Sequence, residues 1–301
     1  MDRHAHTPPR PDTFATRLRV AHALLMAGDP RAAADRCARS RTRAARAGAR
    51  GRQAAFGALR AEALLCLGEL AAAEQEAGAA VRAAVPGASL GRWPAAVLAE
   101  VLTELGRHEE ADRQLCRAAP EASTRTADLP RYLRARGRHR LAVRRPGAAL
   151  ADFLRSGELT YRQGNGPFAR MPWRTDAAEA LLHLGRPDEA AELIAEQLTG
   201  ATAVGPRHRG IALRLRAATE EPARRPATLA LAADELRAAG DRPELARTLA
   251  DLGETLHALG DGLAARAVLR RAWHLAADCG AVPLCDRILP HSTPPAALAS
   301  R

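Results

Sequence analysis

The chain has 301 residues, 47% of them apolar and only 3% aromatic, with a formal net charge of +11. All 45 basic residues are arginine, which excludes both a Schiff-base lysine and the lysine of a P-loop nucleotide site. No run of eighteen apolar residues occurs and the first eleven residues are polar and proline-rich, so a cytoplasmic protein without a membrane span or export signal is expected.

Along the chain, one signature recurs. A turn residue is followed by Ala five positions later and by an apolar residue nine positions later. Gly28 leads to Ala33 and Cys37, Gly68 to Ala73 and Ala77, Gly106 to Ala111 and Leu115, Gly185 to Ala190 and Ile194, and Gly260 to Ala265 and Leu269. Two degenerate copies start at Arg144, leading to Ala149 and Phe153, and at Pro222, leading to Ala227 and Leu231. The seven anchors lie 37 to 41 residues apart. Such a period predicts an all-α, right-handed superhelix of about seven tetratricopeptide-like helical hairpins. The Ala at plus five sits where two antiparallel helices approach most closely, and the residue at plus nine falls one turn on along the same buried face.

Residues 1–12 are expected to be a disordered lead-in, 13–289 the repeat domain and 290–301 a disordered tail. Proline- and glycine-rich loops between hairpins are expected at 86–89, 120–129, 164–167 and 200–206, and they lengthen the period beyond the 34 residues of the common tetratricopeptide unit. Cys37, Cys66 and Cys116 fall within apolar helical patterns and are expected as reduced core thiols, with Cys279 and Cys285 as core or cap residues.

Candidate chemistry is sparse. Residues 87–91 spell G-x-S-x-G, but that nucleophile elbow needs a strand-to-helix turn, so Ser89 is expected in an inter-repeat loop. The ten histidines lack metal-ligand spacing, and neither a metal nor a cofactor is expected. Two stretches are strongly basic: nine arginines against Asp35 over 31–60, and seven arginines without an acid over 131–145. These could line a groove for phosphates or an acidic partner. With almost no aromatics to stack bases, they read as solvated faces, and nucleic acid is expected to bind only non-specifically. Trp173 reads either as a ligand-stacking aromatic or as a staple fixing chain entry into its helix, and the staple is preferred.

Three blocks resemble a known family. They are RYLRARGRHRLA at 131–142 with RPGAALADFL at 145–154, then MPWRTDAAEALLHLGRPDEA at 171–190, and finally ELARTLADLG at 244–253 with LRRAWHLAADCGA at 269–281. They look like the helical-repeat region of the large ATP-binding LuxR-type regulators, the MalT-like group of actinobacteria, over residues 130–285 and more loosely over 17–125. In that family an ATPase switch precedes this region and a helix-turn-helix follows it. Neither has matching motifs in this chain, so the resemblance implies a non-enzymatic interaction or sensor module, stand-alone or truncated. It would bind a protein partner or small-molecule inducer in its concave groove, with an ATPase or DNA-binding subunit acting in trans. Arg134, Arg138, Trp173 and Arg174 are the expected partner-binding residues, the arginines as bidentate donors to carboxylates.

Overall fold

The computed structural model describes residues 13–85, 87–88, 90–120, 127–162, 172–199 and 205–288. Among them are fifteen helices and no strand. They are α1 Phe14–Met26, α2 Pro30–Arg46, α3 Arg50–Cys66, α4 Leu70–Ala83, α5 Trp93–Glu104, α6 His108–Arg117, α7 Leu129–Ala142 and α8 Pro146–Arg162. There follow α9 Trp173–His183, α10 Pro187–Thr199, α11 Pro206–Thr219, α12 Arg225–Ala238, α13 Arg242–Ala258, α14 Gly262–Cys279 and α15 Val282–Ile288. The chain is an all-α superhelix of helical hairpins. Ser89, the lead-in, the tail and much of the 120–129, 164–167 and 200–206 loops lie outside the described residues. No helix among the described residues is long and apolar enough to cross a membrane.

Six hairpins turn on the expected anchor. Each anchor has positive φ, from 59° at Arg144 to 88° at Gly28. The residue after it donates its N–H to a carbonyl five positions back, as from Asp29 to Leu24 at 3.0 Å and from Arg107 to Leu102 at 2.8 Å, which closes the helix end. Asp29 and Asp261 then cap the next helix by accepting from the N–H groups of Ala32 and Ala264. Arg144 holds this left-handed position without glycine's freedom, at a cost of about 1 kcal/mol.

The plus-five and plus-nine residues of these six hairpins are all at most 2% exposed. The Pro222 copy is a correction. Its Ala227 is exposed and its Leu231 is 59% exposed, whereas Leu229 and Ala233 are buried. The connection from α11 to α12 spans residues 220–224 instead of three residues, so the buried register is counted from Arg224. Cys116 is a second correction: it lies exposed on α6, while Cys37, Cys66 and Cys279 are buried as expected.

The odd-numbered helices α1 to α13 touch one another in succession and form the inner layer, with the even-numbered helices outside. The superhelix winds far enough for its ends to meet. Leu70, at the start of α4, packs in one core with Leu236, Leu245 and Leu269 of the last repeats. The first three hairpin turns rest on the C-terminal helices. A Cβ on Gly28 would meet Pro206 at 2.8 Å, one on Gly106 would meet Pro283 at 3.1 Å, and one on Gly68 would collide with the Cys279 sulfur. Gly205, just before α11, lies directly against the Met26 carbonyl. Gly185 and Gly260, in turns away from this seam, face open space.

Candidate functional site

The inner layer points charged side chains at the superhelix axis, and they neutralise one another across repeats. Arg134 of α7 binds Asp176 of α9 at 2.5 Å and Glu100 of α5 at 3.3 Å. One turn on, Arg138 reaches Asp176 at 3.0 Å, Glu104 at 3.6 Å and Glu244 of α13 at 3.7 Å. Arg214 of α11 joins Glu179 at 2.8 Å, Asp251 at 3.3 Å and Glu244 at 3.6 Å. Arg247 pairs with Glu244 at 2.8 Å and, across the seam, with Glu104, 143 residues away in sequence. Arg207 binds Asp241 at 2.5 Å.

Burial sets the electrostatics here. Desolvation alone would raise the Glu244 carboxyl, but Arg247, Arg214, Arg138 and Arg207 overcome it and hold it well below the usual carboxylate range. Glu62 is pushed the other way, because burial outweighs the attraction of Arg131. Glu62 also accepts the indole N–H of Trp93 at 2.6 Å, and the Arg131 guanidinium stacks 4.6 Å from the centre of that ring. His208, only 5% exposed, is driven down to about 3 by burial and then by Arg207, Arg134 and His22, and its Nε2 has no hydrogen-bond partner. Burial pushes the Cys37 and Cys66 thiols up to about 12, so both are unreactive protonated core groups.

Among the described residues, two cavities lie along the axis. One of ≈ 70 Å³ lies among Trp93, Arg131, Glu62, His208, Leu25 and Met26. The other, of ≈ 560 Å³, lies between α5, α7, α9, α13 and α15, with Glu104, Arg138, Glu179, Arg247 and Arg287 in its wall. Its charges are mixed in sign, with Glu100, Glu104 and Glu179 against Arg138, Arg144, Arg247 and Arg287.

Of the four expected partner-binding residues, the structure brings Arg134 and Arg138 together on Asp176, where carboxylates of the same chain already occupy them. Arg138 also lines the larger cavity. Trp173 and Arg174 lie apart from that pair. The Trp173 ring packs directly on Gly157 of α8, where no Cβ would fit. Arg174 stacks 4.5 Å from the Trp173 ring centre and pairs with Glu196 of α10 at 2.9 Å. Phe168, the upstream half of the expected staple, lies outside the described residues.

The sequence reading missed the acidic half of the axis. A signal for it was present at a third offset. Six residues before the turn, in the first five of these six hairpins, stand His22, Glu62, Glu100, Arg138 and Glu179, each lining an axial cavity, whereas Glu254 of the last lines neither and meets Arg287 at 3.3 Å. That position falls on the helix face away from the hairpin partner, which in a closed superhelix is the inner wall.

No family model matches the chain, and no curated protein matches its sequence. Among solved structures, a tetratricopeptide repeat protein from Parabacteroides merdae is similar over 92% of this chain and 98% of that chain, with 16% identity and a TM-score of 0.45.

Proposed function

We propose that the chain is a helical-repeat binding scaffold that takes a small polar molecule bearing both charges into the axial cavity of ≈ 560 Å³, acting as the sensor region of a LuxR-type regulator. The observation that carries the reading is the position of that cavity against the Glu104–Arg247 bridge, which ties α5 to α13 across the seam. A ligand carboxylate competing for Arg247, or a ligand ammonium competing for Glu104, changes how firmly the seam is held. Binding is thereby coupled to closure of the superhelix. The volume lies within the roughly 300–1,000 Å³ of small-molecule sites. A small ligand is favoured over a peptide in the groove because the first three turns rest on the C-terminal helices and the axial arginines already have carboxylate partners. The regulatory half of the reading rests on the resemblance of residues 130–285, and it assigns the output to an ATPase or DNA-binding protein acting in trans.

The test is a thermal-shift panel of free amino acids and dipeptides on the whole chain. A ligand present at about one hundred times its Kd raises Tm by about 4 °C for a chain of this size. In Glu104→Gln and Arg247→Gln the shift, measured from each variant's own baseline, disappears. A shift of equal size in both variants sinks the proposal.

A further inference from the structure

The axial cavity of ≈ 70 Å³ lies where the first repeats meet the last. Leu25 and Met26 of α1, Leu65 of α3 and Val97 of α5 give it an apolar wall, and α11 adds His208. The His208 ring is only 5% exposed, burial keeps it neutral, and its Nε2 has no hydrogen-bond partner. A polar atom left unmet at that depth is costly, and the cavity beside it is room for a partner. The charged groups of the same wall are already committed. Arg131 pairs with Glu62, Arg134 with Asp176 at 2.5 Å and Arg207 with Asp241 at 2.5 Å. A charged ligand would have to break one of these buried pairs, whereas a neutral one leaves them intact.

We propose that this cavity binds a small neutral alcohol, its hydroxyl on the His208 Nε2 and its hydrocarbon against Leu25, Met26, Leu65 and Val97. A hydroxyl both donates and accepts, so it satisfies the imidazole nitrogen in either tautomer, which neither an ether nor a hydrocarbon does. Water also meets the nitrogen, but it leaves the apolar wall wet, and replacing loosely held water by hydrocarbon is favourable. An apolar cavity of about 150 Å³ accommodates benzene, so roughly half that volume takes about three or four heavy atoms. Among the described residues the two axial cavities share only Glu100, so this site stands apart from the reading of the larger one.

The experiment titrates the full chain with 2-propanol and follows its three tryptophan indole N–H signals by proton–nitrogen correlation spectroscopy, assigned with Trp173→Phe and Trp273→Phe. Trp93 lines the cavity, Trp173 packs on Gly157 of α8, and Trp273 lies edge-on to His274 of α14. The Trp93 signal is expected to shift saturably with a Kd of about 1–30 mM, while the other two drift linearly with solvent. His208→Phe, which keeps the ring and removes its nitrogens, weakens binding about threefold to tenfold. Ala96→Leu, which fills the cavity from α5, abolishes it. Parent-like Trp173 and Trp273 signals report that each variant is folded. A linear drift of all three signals in the parent chain means that the cavity holds water alone and overturns the proposal. Parent-like affinity in either variant overturns it as well.

Discussion

The two arginine-rich stretches, 31–60 and 131–145, look alike in sequence and meet opposite fates in the fold. In the second, Arg131 pairs with Glu62, Arg134 and Arg138 with Asp176, and Arg136 and Arg140 with Asp152 at 2.6 and 2.7 Å. In the first, Arg41 and Arg60 both use the single carboxylate of Glu76, and Arg36 and Arg39 have no ion-pair partner among the described residues. The difference comes from position in the superhelix. Helix α7 sits in the inner layer with acidic faces on both neighbours, whereas α2 sits in the outer layer of the first hairpin, with solvent beyond it. Composition therefore says little about whether an arginine holds the structure together or meets a ligand.

The sharpest way to break the comparison is to remove one arginine from each region. Arg214→Ala strips a 7%-exposed guanidinium from Glu179, Asp251 and Glu244 and leaves buried carboxylates unpaired. A loss of about 3–5 kcal/mol in urea unfolding is expected. At the opposite extreme, Arg39→Ala on the outer face of α2 is expected to stay within about 0.5 kcal/mol of the parent. Comparable losses in the two variants would erase the distinction.

A smaller effect separates seam turns from free turns. Gly68→Ala and Gly260→Ala both place a Cβ at positive φ, 73° and 87°, and share a strain of about 1 kcal/mol. Only Gly68 also drives that Cβ into Cys279, which adds about 1–3 kcal/mol of overpacking. Equal melting temperatures for the two variants would mean that the ends do not close on each other in solution.

Smaller still is the pH response of the buried axis. His208 is neutral in both folded and unfolded chains above about pH 6.5. Below that, the unfolded chain takes up a proton that the folded one refuses until about pH 3, so stability falls as pH drops, by at most about 1.4 kcal/mol per unit. Glu244 begins to contribute only lower, within and below the carboxylate range, because its folded form stays ionised there. Between pH 6.5 and 5, His208→Gln should therefore flatten the fall in Tm. An unchanged slope would place that imidazole in contact with water.

The hairpins were legible in the sequence because short-range geometry fixes them. A left-handed turn residue, a small residue at the closest approach and an apolar one a helical turn further on are demanded by any two helices that pack antiparallel. The same logic explains the failure at Pro222. Its offsets matched by chance, and the five-residue connection moved the buried face to Leu229 and Ala233. Cys116 was misplaced for a related reason, since an apolar neighbourhood in sequence does not say which side of α6 faces out.

What the sequence determined by itself is the repeat: its period, its turns and the twelve buried plus-five and plus-nine residues of six hairpins. What only the tertiary structure decided is which arginines are already satisfied and where the ends of the array meet. Each repeat adds a small rotation to the last, and the sum over seven hairpins brings Glu104 to Arg247 and Gly68 to Cys279. That sum is a property of the whole stack, and no local pattern encodes it.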